Sequence, residues 1–376
     1  MTTPAASIPA WARWTESEAY SVGLEEEIML LAPSEDWSLA QRLDEIEPEL
    51  SDELIAQVSG ETQDAVLELT TRPHASALAA ADEASHLRAL LTADLAPLGL
   101  QAASAGTHPC AVWSDTRIAS GERHQSVYGA MRELARREPT FGLHVHVGVT
   151  DPESAIVLHN RLRSHLPLLL AMSANSPFWQ GRDSGLASVR TPIFQAFPRV
   201  GPPRAFENYA EYVETVDRLL RCDAIPDPTY LWWDVRPQPK FGTVEVRIMD
   251  AQSEPWATRA LAALVQMIAR LEVEEGYHDR EEAGNPEVTV ENRFLAVRDS
   301  MDADFIEPVS ETRVPARIAL ERLLAAAAPH AQALGCEAAV EDILRLADEP
   351  GATRQRRASD PERPLSSVVA WLADVF

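Results

Sequence analysis

Four β-rich runs of the chain carry charged or histidine residues at every second position. These residues are Glu25 and Glu27, Glu68 with Thr70, His144 and His146, and Glu245 with Arg247. Because successive side chains of a strand point to opposite faces, each pair shares one face of its strand, while the other face is apolar except at Glu26. Glutamate, histidine and arginine are side chains that bind metal ions and phosphate groups, so the pattern indicates a polar site on a sheet.

If the four runs belong to one sheet, Glu25, Glu27, Glu68, Glu245 and His146 converge on a single concave face. Carboxylates that lie this close repel one another unless protons or cations relieve the repulsion. Hard oxygen ligands favour Mg²⁺ or Mn²⁺ over zinc, and several of them suit a site that binds a polyphosphate through two or three ions. The arrangement therefore predicts a magnesium- or manganese-dependent phosphate site.

Arginine side chains would hold the anionic groups of a substrate at such a site, because guanidinium binds phosphate and carboxylate through paired hydrogen bonds. Candidates are Arg236 and Arg247 on the predicted strands and Arg182 and Arg190 in a long loop. Taken alone, each strand also fits a solvent-exposed polar face, and the two histidines also fit a structural role. The combination favours a binding site.

Several common catalytic motifs are absent from the sequence. It contains no G-x-x-x-x-G-K-[ST], no G-x-G-x-x-G and no H-E-x-x-H, which excludes a P-loop nucleotide site and a metalloprotease helix. The His-x-His run is found in metallohydrolases, but the strand–helix alternation of a barrel is missing.

The elements that must position these residues are short strands between long amphipathic helices. Strands are predicted at 22–31, 66–71, 142–149, 230–236 and 243–250, and helices at 75–98, 122–137, 152–171, 204–221, 255–275, 285–300, 315–334 and 364–375. Because the strands do not alternate one-for-one with the helices, the pattern favours an α+β fold with an antiparallel sheet. Residues 237–242 are predicted to be a hairpin connection.

The same pattern predicts two regions. Residues 1–284 form an α+β catalytic core with a long loop at 173–203, and residues 285–376 form a purely helical part that packs on the core as one catalytic unit. A linker is expected at 276–286. The loop at 173–203 is longer than a simple connection needs to be, and loops of that length are usually functional.

Composition narrows the class of protein. The chain has 376 residues, 58 acidic against 33 basic, and a net charge of −25, which disfavours binding to nucleic acid or anionic lipid. The three cysteines are far apart and indicate reduced thiols rather than a disulfide scaffold or a zinc ribbon. No signal peptide or membrane-spanning stretch is evident, so we expect a cytoplasmic protein, with a homodimer as the expected oligomer.

Seven runs of the sequence resemble, in order, the motifs of ATP-dependent carboxylate–amine ligases of the glutamate–cysteine ligase type 2 group. The resemblance extends from about residue 20 to 357. The runs are SVGLEEEIMLL, ETQDAVLELTT, FGLHVHVGV, NSPFWQGRDSGLASVRTPIF, LWWDVRPQPKFGTVEVRIMDAQ, ENRFLAVRDSMDADF and GATRQRR.

The resemblance implies a glutamine synthetase-like fold, in which a curved antiparallel sheet has helices on one face and a metal–ATP site on its concave face. It implies catalytic roles for Arg247 and Glu245. It also implies a metal-binding set and a set of anion- or nucleotide-binding arginines. The first set is Glu25, Glu27, Glu61, Glu68, His146 and Glu245; the second is Arg182, Arg190, Arg236 and Arg356, with Arg354 and Arg357 beside it.

The implied reaction joins a glutamate-like carboxylate to a cysteine-like amine through an acyl phosphate, with ATP and Mg²⁺ or Mn²⁺ as cofactors. Asp299 and Ser300 depart from the expected motif, which bears on substrate choice. Two alternatives stay open at this point. One is a non-catalytic regulatory protein that binds nucleotide and metal on the same fold, and the other is a metal-dependent phosphohydrolase.

Overall fold

A computed structural model describes residues 8–136, 139–278 and 285–376 of the chain. The strands are β1 (Val22–Ala32), β2 (Ser38–Leu39), β3 (Val58–Gly60), β4 (Val66–Thr70), β5 (Gln101–Ala103), β6 (Gly142–Gly148), β7 (Phe178–Trp179), β8 (Arg182–Asp183), β9 (Val235–Gln238), β10 (Thr243–Asp250), β11 (Asp304–Glu307) and β12 (Thr312–Pro315). The α-helices are α1 (Leu43–Ile46), α2 (Asp52–Ile55), α3 (Ala77–Leu95), α4 (Glu122–Met131), α5 (Pro152–Ser173), α6 (Arg190–Phe194), α7 (Tyr209–Arg221), α8 (Pro255–Glu274), α9 (Pro286–Asp299), α10 (Ala316–Leu334), α11 (Ala339–Asp348), α12 (Gly351–Ala358) and α13 (Ser366–Asp374).

Eight of these strands form one sheet around the long strand β1. The strand order is β3-β4-β1-β6-β10-β9, while β2 and β5 pair with the C-terminal part of β1. Every pairing between these strands is antiparallel. The prediction of an α+β fold with an antiparallel sheet is therefore confirmed.

Helices cover one face of the sheet. Leu24 of β1, Val145 of β6 and Val246 of β10 are fully buried and belong to one apolar cluster with residues of α3, α5 and α8. Burying this face contributes roughly 1.5–3 kcal/mol for each large apolar side chain. The residues that alternate with them face the other side, where no helix of this cluster packs, and they are the polar residues singled out above.

The helix α5 begins where the sequence predicts. The Asp151 carboxylate accepts hydrogen bonds from the backbone N–H groups of Glu153 at 3.0 Å and Ser154 at 2.9 Å, and Pro152 occupies the first turn. These bonds satisfy N–H groups that have no partner within the helix. The cap fixes the start of a helix that crosses the back of the sheet.

Three details of the predicted elements are wrong. The C-terminal part is not purely helical, because β11 and β12 form a hairpin on which only Phe305 is buried, too short an apolar pattern to stand out. The strand predicted at 230–236 lies instead at β9, because Tyr230 and Leu231 join a separate cluster of aromatic side chains. The region 173–203 contains β7, β8 and α6.

The C-terminal helices share the main apolar core. Leu295 of α9, Leu320 of α10 and Ile343 of α11 belong to the same buried cluster as the helices behind the sheet. The division at residue 284, and one catalytic unit formed by both regions, stay predictions, and residues 279–284 of the expected linker lie outside the described residues. Within the described ranges no helix is both long and apolar enough to cross a lipid bilayer.

A buried ion pair ties β1 to α3. The Arg88 guanidinium contacts both carboxylate oxygens of Glu26, at 2.9 Å and 2.7 Å, and also donates to the backbone carbonyls of Gln252 and Ser253. Both side chains are almost fully buried. The pair links the sheet to its covering helices where water cannot compensate either charge.

We predict that Arg88→Leu lowers the free energy of unfolding by about 3–5 kcal/mol, because it leaves the Glu26 carboxylate buried without its partner. Urea unfolding followed by circular dichroism measures the change. Arg72→Leu is the matched control, since Arg72 pairs with Glu83 but its side chain is 74% exposed. A loss below 1 kcal/mol for Arg88→Leu would contradict the role given to this pair.

Candidate active site

The strand register places the acidic and histidine side chains opposite one another. Glu27 of β1 lies opposite Glu68 of β4, and Glu25 lies opposite His144 of β6. His146 is in turn opposite Glu245 of β10. The convergence predicted from strand alternation is therefore what the register produces.

A cavity of about 540 Å³ opens over this face of the sheet. Its polar lining includes Glu25, Glu27, Glu61, Glu68, His144, Arg190, Arg236, Glu245 and Arg247. His146 lines an adjoining cavity of about 440 Å³, and Glu25 and Phe241 border both. The two cavities together form one concave region on the open face of the sheet.

Glu27, Glu61 and Glu68 form an acidic cluster on one side of the cavity. One carboxylate oxygen from each lies within 4.8 Å of the others. Glu61 follows β3 and was implied by the family resemblance only, because it lies ahead of the alternating run. Backbone N–H groups of Thr62 and Gly142 donate to Glu61 and Glu27, and the donor to Glu68 is a hydroxyl. Three converging carboxylates can hold a divalent cation.

This crowding changes the pKa values of the three carboxyl groups. Burial, followed by the neighbouring charge of Glu61, raises the pKa of Glu27 to about 7. Burial also raises the pKa of Glu61, and burial with the charges of Glu25 and Glu61 raises that of Glu68 well above its ordinary value. Without a cation the cluster therefore holds protons near neutral pH.

A second group combines carboxylates with the two histidines. Glu25 contacts His144 Nδ1 through Oε2 and His146 Nε2 through Oε1, both at 3.1 Å. His146 Nε2 is 3.9 Å from Glu245 Oε1, and its Nδ1 lies 2.9 Å from the Thr243 hydroxyl. Glu25, His146 and Glu245 offer one ligand atom each within 4.8 Å, so they form a second candidate cation site.

The histidines set the charge of Glu25. Although burial raises the pKa of Glu25, the charge of His146 and the hydrogen bond from His144 outweigh it and hold the pKa well below its ordinary value. Burial and the Arg247 charge lower the pKa of His144 to about 4, whereas Glu25 raises that of His146 despite burial. In the part of the chain that is described, His144 Nε2 is buried without a hydrogen-bond partner, as expected of a ring beside a cation site.

Glu245 is held by two arginines. Arg236 approaches its Oε2 at 3.0 Å through Nε and at 2.8 Å through Nη2, and Arg247 Nη1 binds Oε1. Gln238 donates to Oε2 at 2.7 Å. Burial raises the pKa of Glu245, but the charges of Arg236 and Arg247 outweigh it and lower the pKa strongly. Glu245 therefore stays ionised, with Oε1 turned toward the histidines.

Arg236 lines the cavity, but its contacts favour a different role from the anion binding predicted for it, which stays a prediction. Its remaining donors bind the backbone carbonyls of Thr229 and Leu231, at 3.0 Å and 2.9 Å, and the side chain is buried. Arg236 therefore positions Glu245 and has little capacity left for a nucleotide. Arg247 borders the cavity more openly, and burial lowers but Glu245 raises its pKa, with a net rise that keeps it charged.

Arg190 reaches the cavity from α6. Its Nη1 donates to the Ile248 carbonyl at 3.2 Å, and its guanidinium lies over the Phe194 ring at 5.6 Å. It passes close to the strand β6, since a Cβ at Gly142 would lie 2.5 Å from Arg190 Nη2. The glycine therefore allows this guanidinium to reach the acidic cluster, and the predicted place of Arg190 at the site agrees with the structure.

Two predicted arginines do not line the cavity. Arg182 lies in the exposed hairpin of β7 and β8. Arg356 binds the carboxylate of Asp183 at 2.9 Å and 2.8 Å and the Leu186 carbonyl, so it fastens that hairpin to α12. Both predictions are corrected on placement, because these loop and C-terminal segments pack beside each other and away from the sheet face.

Arg354 and Arg357 are likewise engaged elsewhere. Arg354 pairs with Glu254 and stacks on the Trp256 ring at 4.7 Å, while Arg357 pairs with Glu349. Neither borders the carboxylate cavity. Arg354 and Arg357 therefore make contacts with neighbouring segments of the fold rather than with the cavity.

Sequence reasoning missed the wall that faces the sheet. It consists of Arg123 and His124 of α4 and the aromatic residues Phe194, Phe197, Trp232 and Phe241. These residues come from separate segments without a shared period, so no signal in the sequence groups them. Gln238 is different, because it alternates with Arg236 on β9 and strand spacing could have identified it.

Comparisons with known proteins agree with this geometry. A family model described as glutamate–cysteine ligase family 2 matches residues 21–367. A protein of Rubrobacter xylanophilus named "Putative glutamate–cysteine ligase 2-1" is 39% identical over 366 residues, covering 95% of this chain and 95% of that protein.

Two solved structures share the fold. A glutamate–cysteine ligase from Francisella tularensis in complex with AMP matches with a TM-score of 0.70 and 12% identity, over 96% of this chain and 89% of that one. A bifunctional glutathione synthetase from Pasteurella multocida matches with a TM-score of 0.71 and 14% identity, over 94% of this chain. The chain spans about half (52%) of the length of that second protein. The predicted glutamine synthetase-like fold is confirmed.

The raised pKa values in the acidic cluster lead us to predict that the effect of Glu68→Gln on the free energy of unfolding varies with pH. In wild-type protein without divalent cations, the pKa of Glu68 is higher in the folded state than in the unfolded state. The free energy of unfolding therefore falls as the pH rises above the pKa of the unfolded state. The variant lacks this loss, so its stability relative to wild type should increase between pH 5 and pH 8, by roughly 1.4 kcal/mol for each pKa unit crossed.

Urea unfolding at both pH values in the presence of a chelator measures this difference. Glu321→Gln, on the exposed face of α10, is the control and should shift stability by the same small amount at both. An equal effect of Glu68→Gln at pH 5 and pH 8 would mean that the pKa of Glu68 is not raised in the folded protein.

Proposed function

This chain belongs to the glutamate–cysteine ligase family 2, and we propose that it uses ATP and divalent cations to join a glutamate-like carboxylate to a cysteine-like amine. Family membership makes it a carboxylate–amine ligase that forms an amide bond. The observation that supports the proposed cofactors and site is the convergence of five glutamates and two histidines beneath two adjoining cavities on one face of the sheet. The AMP bound by the Francisella tularensis ligase supports an adenine nucleotide as a ligand of this site.

The acidic cluster fits Mg²⁺ or Mn²⁺. Glu27, Glu61 and Glu68 would hold one ion, and Glu25, His146 and Glu245 would hold another. Oxygen-rich ligand sets of this kind suit these hard cations, and the raised pKa values of the first three groups report carboxylates that a cation would relieve. When bound, such cations neutralise phosphate charge and stabilise the charge that develops in phosphoryl transfer.

The reaction proceeds in two steps on the substrates themselves. An oxygen of the substrate carboxylate attacks the γ-phosphorus of ATP, the bond to the β-phosphate oxygen breaks, and ADP leaves. The amine nitrogen then attacks the carbonyl carbon of the acyl phosphate, loses a proton, and inorganic phosphate leaves. Two anions meet in the first step, so the site must supply positive charge where they approach.

Arg247 and Arg190 supply protein charge at this position. Arg247 stays protonated, since Glu245 raises its pKa, and it borders the cavity beside the acidic cluster. Arg190 is buried and fixed by backbone carbonyls, so its guanidinium is oriented before substrate arrives. Glu245 holds Arg247 in place through Oε1, and the same oxygen lies 3.8 Å and 3.9 Å from nitrogens of the two histidines.

Cytoplasmic location and a homodimeric state stay predictions. The first follows from the absence of a targeting or membrane-spanning signal in the sequence, and the second has no specific sequence feature behind it. Light scattering at micromolar concentration measures the oligomer directly.

We predict that Glu27→Gln and Arg247→Gln each lower kcat/KM on the order of 10²–10³-fold, because the first removes a carboxylate that would hold the cation and the second removes a positive charge beside the transferring phosphoryl group. Arg182→Gln and Arg356→Gln are the matched controls, since these arginines lie outside the cavity, and they should stay within about threefold of wild type. ADP release in the presence of ATP, Mg²⁺, glutamate and an amine mixture is the assay, with products identified by mass spectrometry.

The same assay separates the alternatives. ADP release that requires both a carboxylate and an amine supports the ligase. Phosphate release that needs no amine indicates a phosphohydrolase, and nucleotide binding without turnover over the whole amine panel indicates a regulatory protein. Full activity of Glu27→Gln would contradict the proposed metal site.

A further inference from the structure

A second group of metal-ligating side chains lies behind the sheet, away from the catalytic cavity. His165 of α5, Glu272 near the end of α8 and His278 shortly after that helix each offer one ligand atom, and these atoms lie within 4.8 Å of one another. Their helices pack on the apolar face of the sheet. The group shares no residue with the cavity that holds the acidic cluster.

The three side chains are tightly arranged. His165 Nε2 lies 2.6 Å from Glu272 Oε1, and the rings of His165 and His278 have their centroids 4.6 Å apart. The His278 backbone N–H donates to both oxygens of Glu272, at 3.2 Å and 3.3 Å. His165 is 2% exposed and Glu272 is fully buried. The contacts hold the carboxylate and both rings at the end of one helix.

This group opens onto a cavity of about 340 Å³ between α5, α9 and α10. His165 and His278 line it, and so does Arg163. Arg163 is 5% exposed and donates through Nε to the Pro203 carbonyl at 2.7 Å. Across the described ranges its Nη1 is buried with no hydrogen-bond partner. A buried guanidinium with a free donor beside a cavity needs an acceptor, and an anionic group would supply one.

We propose that His165, Glu272 and His278 form a further cation site, which takes a divalent transition-metal ion of the zinc type; among the described residues these three are its only protein ligands, and one coordination position faces the cavity. Two imidazoles and one carboxylate favour zinc over magnesium, in contrast to the oxygen-rich catalytic cluster. Three protein ligands with an open fourth position are the arrangement of zinc sites that accept an exogenous ligand.

Charge identifies the chemistry of that fourth ligand. Among the described residues, a divalent ion with two neutral imidazoles and one carboxylate leaves a net charge of +1, and the Arg163 guanidinium adds a second positive charge to the same cavity, whose other two charged residues, Arg322 and Glu307, pair with each other. Arg161 also approaches, with its Nε 3.9 Å from Glu272 Oε2. A small carboxylate would balance these charges by binding the ion with one oxygen and accepting a hydrogen bond from Arg163 Nη1 with the other.

Zinc stoichiometry tests the site. The full chain is stripped with a chelator, supplied with excess Mg²⁺ to occupy the catalytic carboxylates, and titrated with zinc against a chromophoric competitor. Wild type should bind one zinc that His278→Ala does not bind, or binds at least tenfold more weakly. The same zinc should raise the Tm of wild type but not of His278→Ala.

His330→Ala is the matched control. His330 is also a buried histidine that contacts the end of α8, with its Nε2 2.9 Å from Glu275 Oε1, but it is not one of the three proposed ligands. It should keep the full zinc stoichiometry. His278 is only partly buried and lies outside the helix, so its removal should leave the fold intact, and circular dichroism checks this.

Cobalt substitution tests the open position. Co²⁺ bound in wild type should give a visible absorption spectrum that acetate alters, and Arg163→Gln should weaken the acetate effect about tenfold while the metal stays bound. Equal zinc stoichiometry in wild type and His278→Ala overturns the proposal, as does zinc that is lost only from Glu68→Gln. In either case the three residues would form a structural ion pair at the end of α8. A cobalt spectrum indifferent to acetate overturns the open position.

Discussion

Repulsion between carboxylates on one face of a sheet is the constraint on which this structure depends. Glu27, Glu61 and Glu68 lie within a few ångströms of each other in a partly buried cluster, where each unit of negative charge makes the next harder to form. A protein gains nothing in stability from this arrangement. It persists because the surrounding sheet over-determines it, through the pairing of β1 with β4 on one side and β6 on the other. The cluster is therefore a store of unfavourable electrostatic energy that cation binding can release.

The opposite side of the same face is built so that its charge is already balanced. Arg236 and Arg247 clamp Glu245, and Glu25 lies between two histidines. The contrast divides the site into a part whose carboxylates hold protons and a part whose carboxylates are ionised at neutral pH. With cations bound as proposed, a polyphosphate chain bridging both parts would meet a cation at each end and the fixed arginines beside the second. The chemistry of the site thus comes from two neighbouring environments for the same residue type.

Strand alternation accounts for how much of this could be predicted from sequence. Period-two spacing identified Glu25, Glu27, Glu68, His146 and Glu245, because an antiparallel register brings the same faces of neighbouring strands together. Arg182 and Arg356 were misplaced because neither lies on a strand of the sheet, and a positive charge alone says nothing about which surface a loop packs against. The hairpin β11–β12 was missed for a related reason, since only one of its residues is buried and it carries no clear alternation. Residues that depend on long-range packing, such as those of the aromatic wall, have no local pattern to find.

The residues on the sheet face are positioned by strands, whereas those of the other wall are positioned by helices and loops. This difference bears on which of the two could select the amine. The groups on the sheet face are engaged with one another and would contact phosphates and cations, which are the same for every carboxylate–amine pair. The facing wall holds Arg123 and His124 on α4 and the rings of Phe194, Phe197 and Trp232, which are spaced by three separate segments rather than by a sheet. Loop and helix residues can change without disturbing strand register, so the wall can be altered while the phosphoryl-transfer machinery stays fixed. If the sheet face binds phosphates and cations as proposed, selection of the amine falls to this wall, which is also the part of the site that sequence spacing cannot reveal.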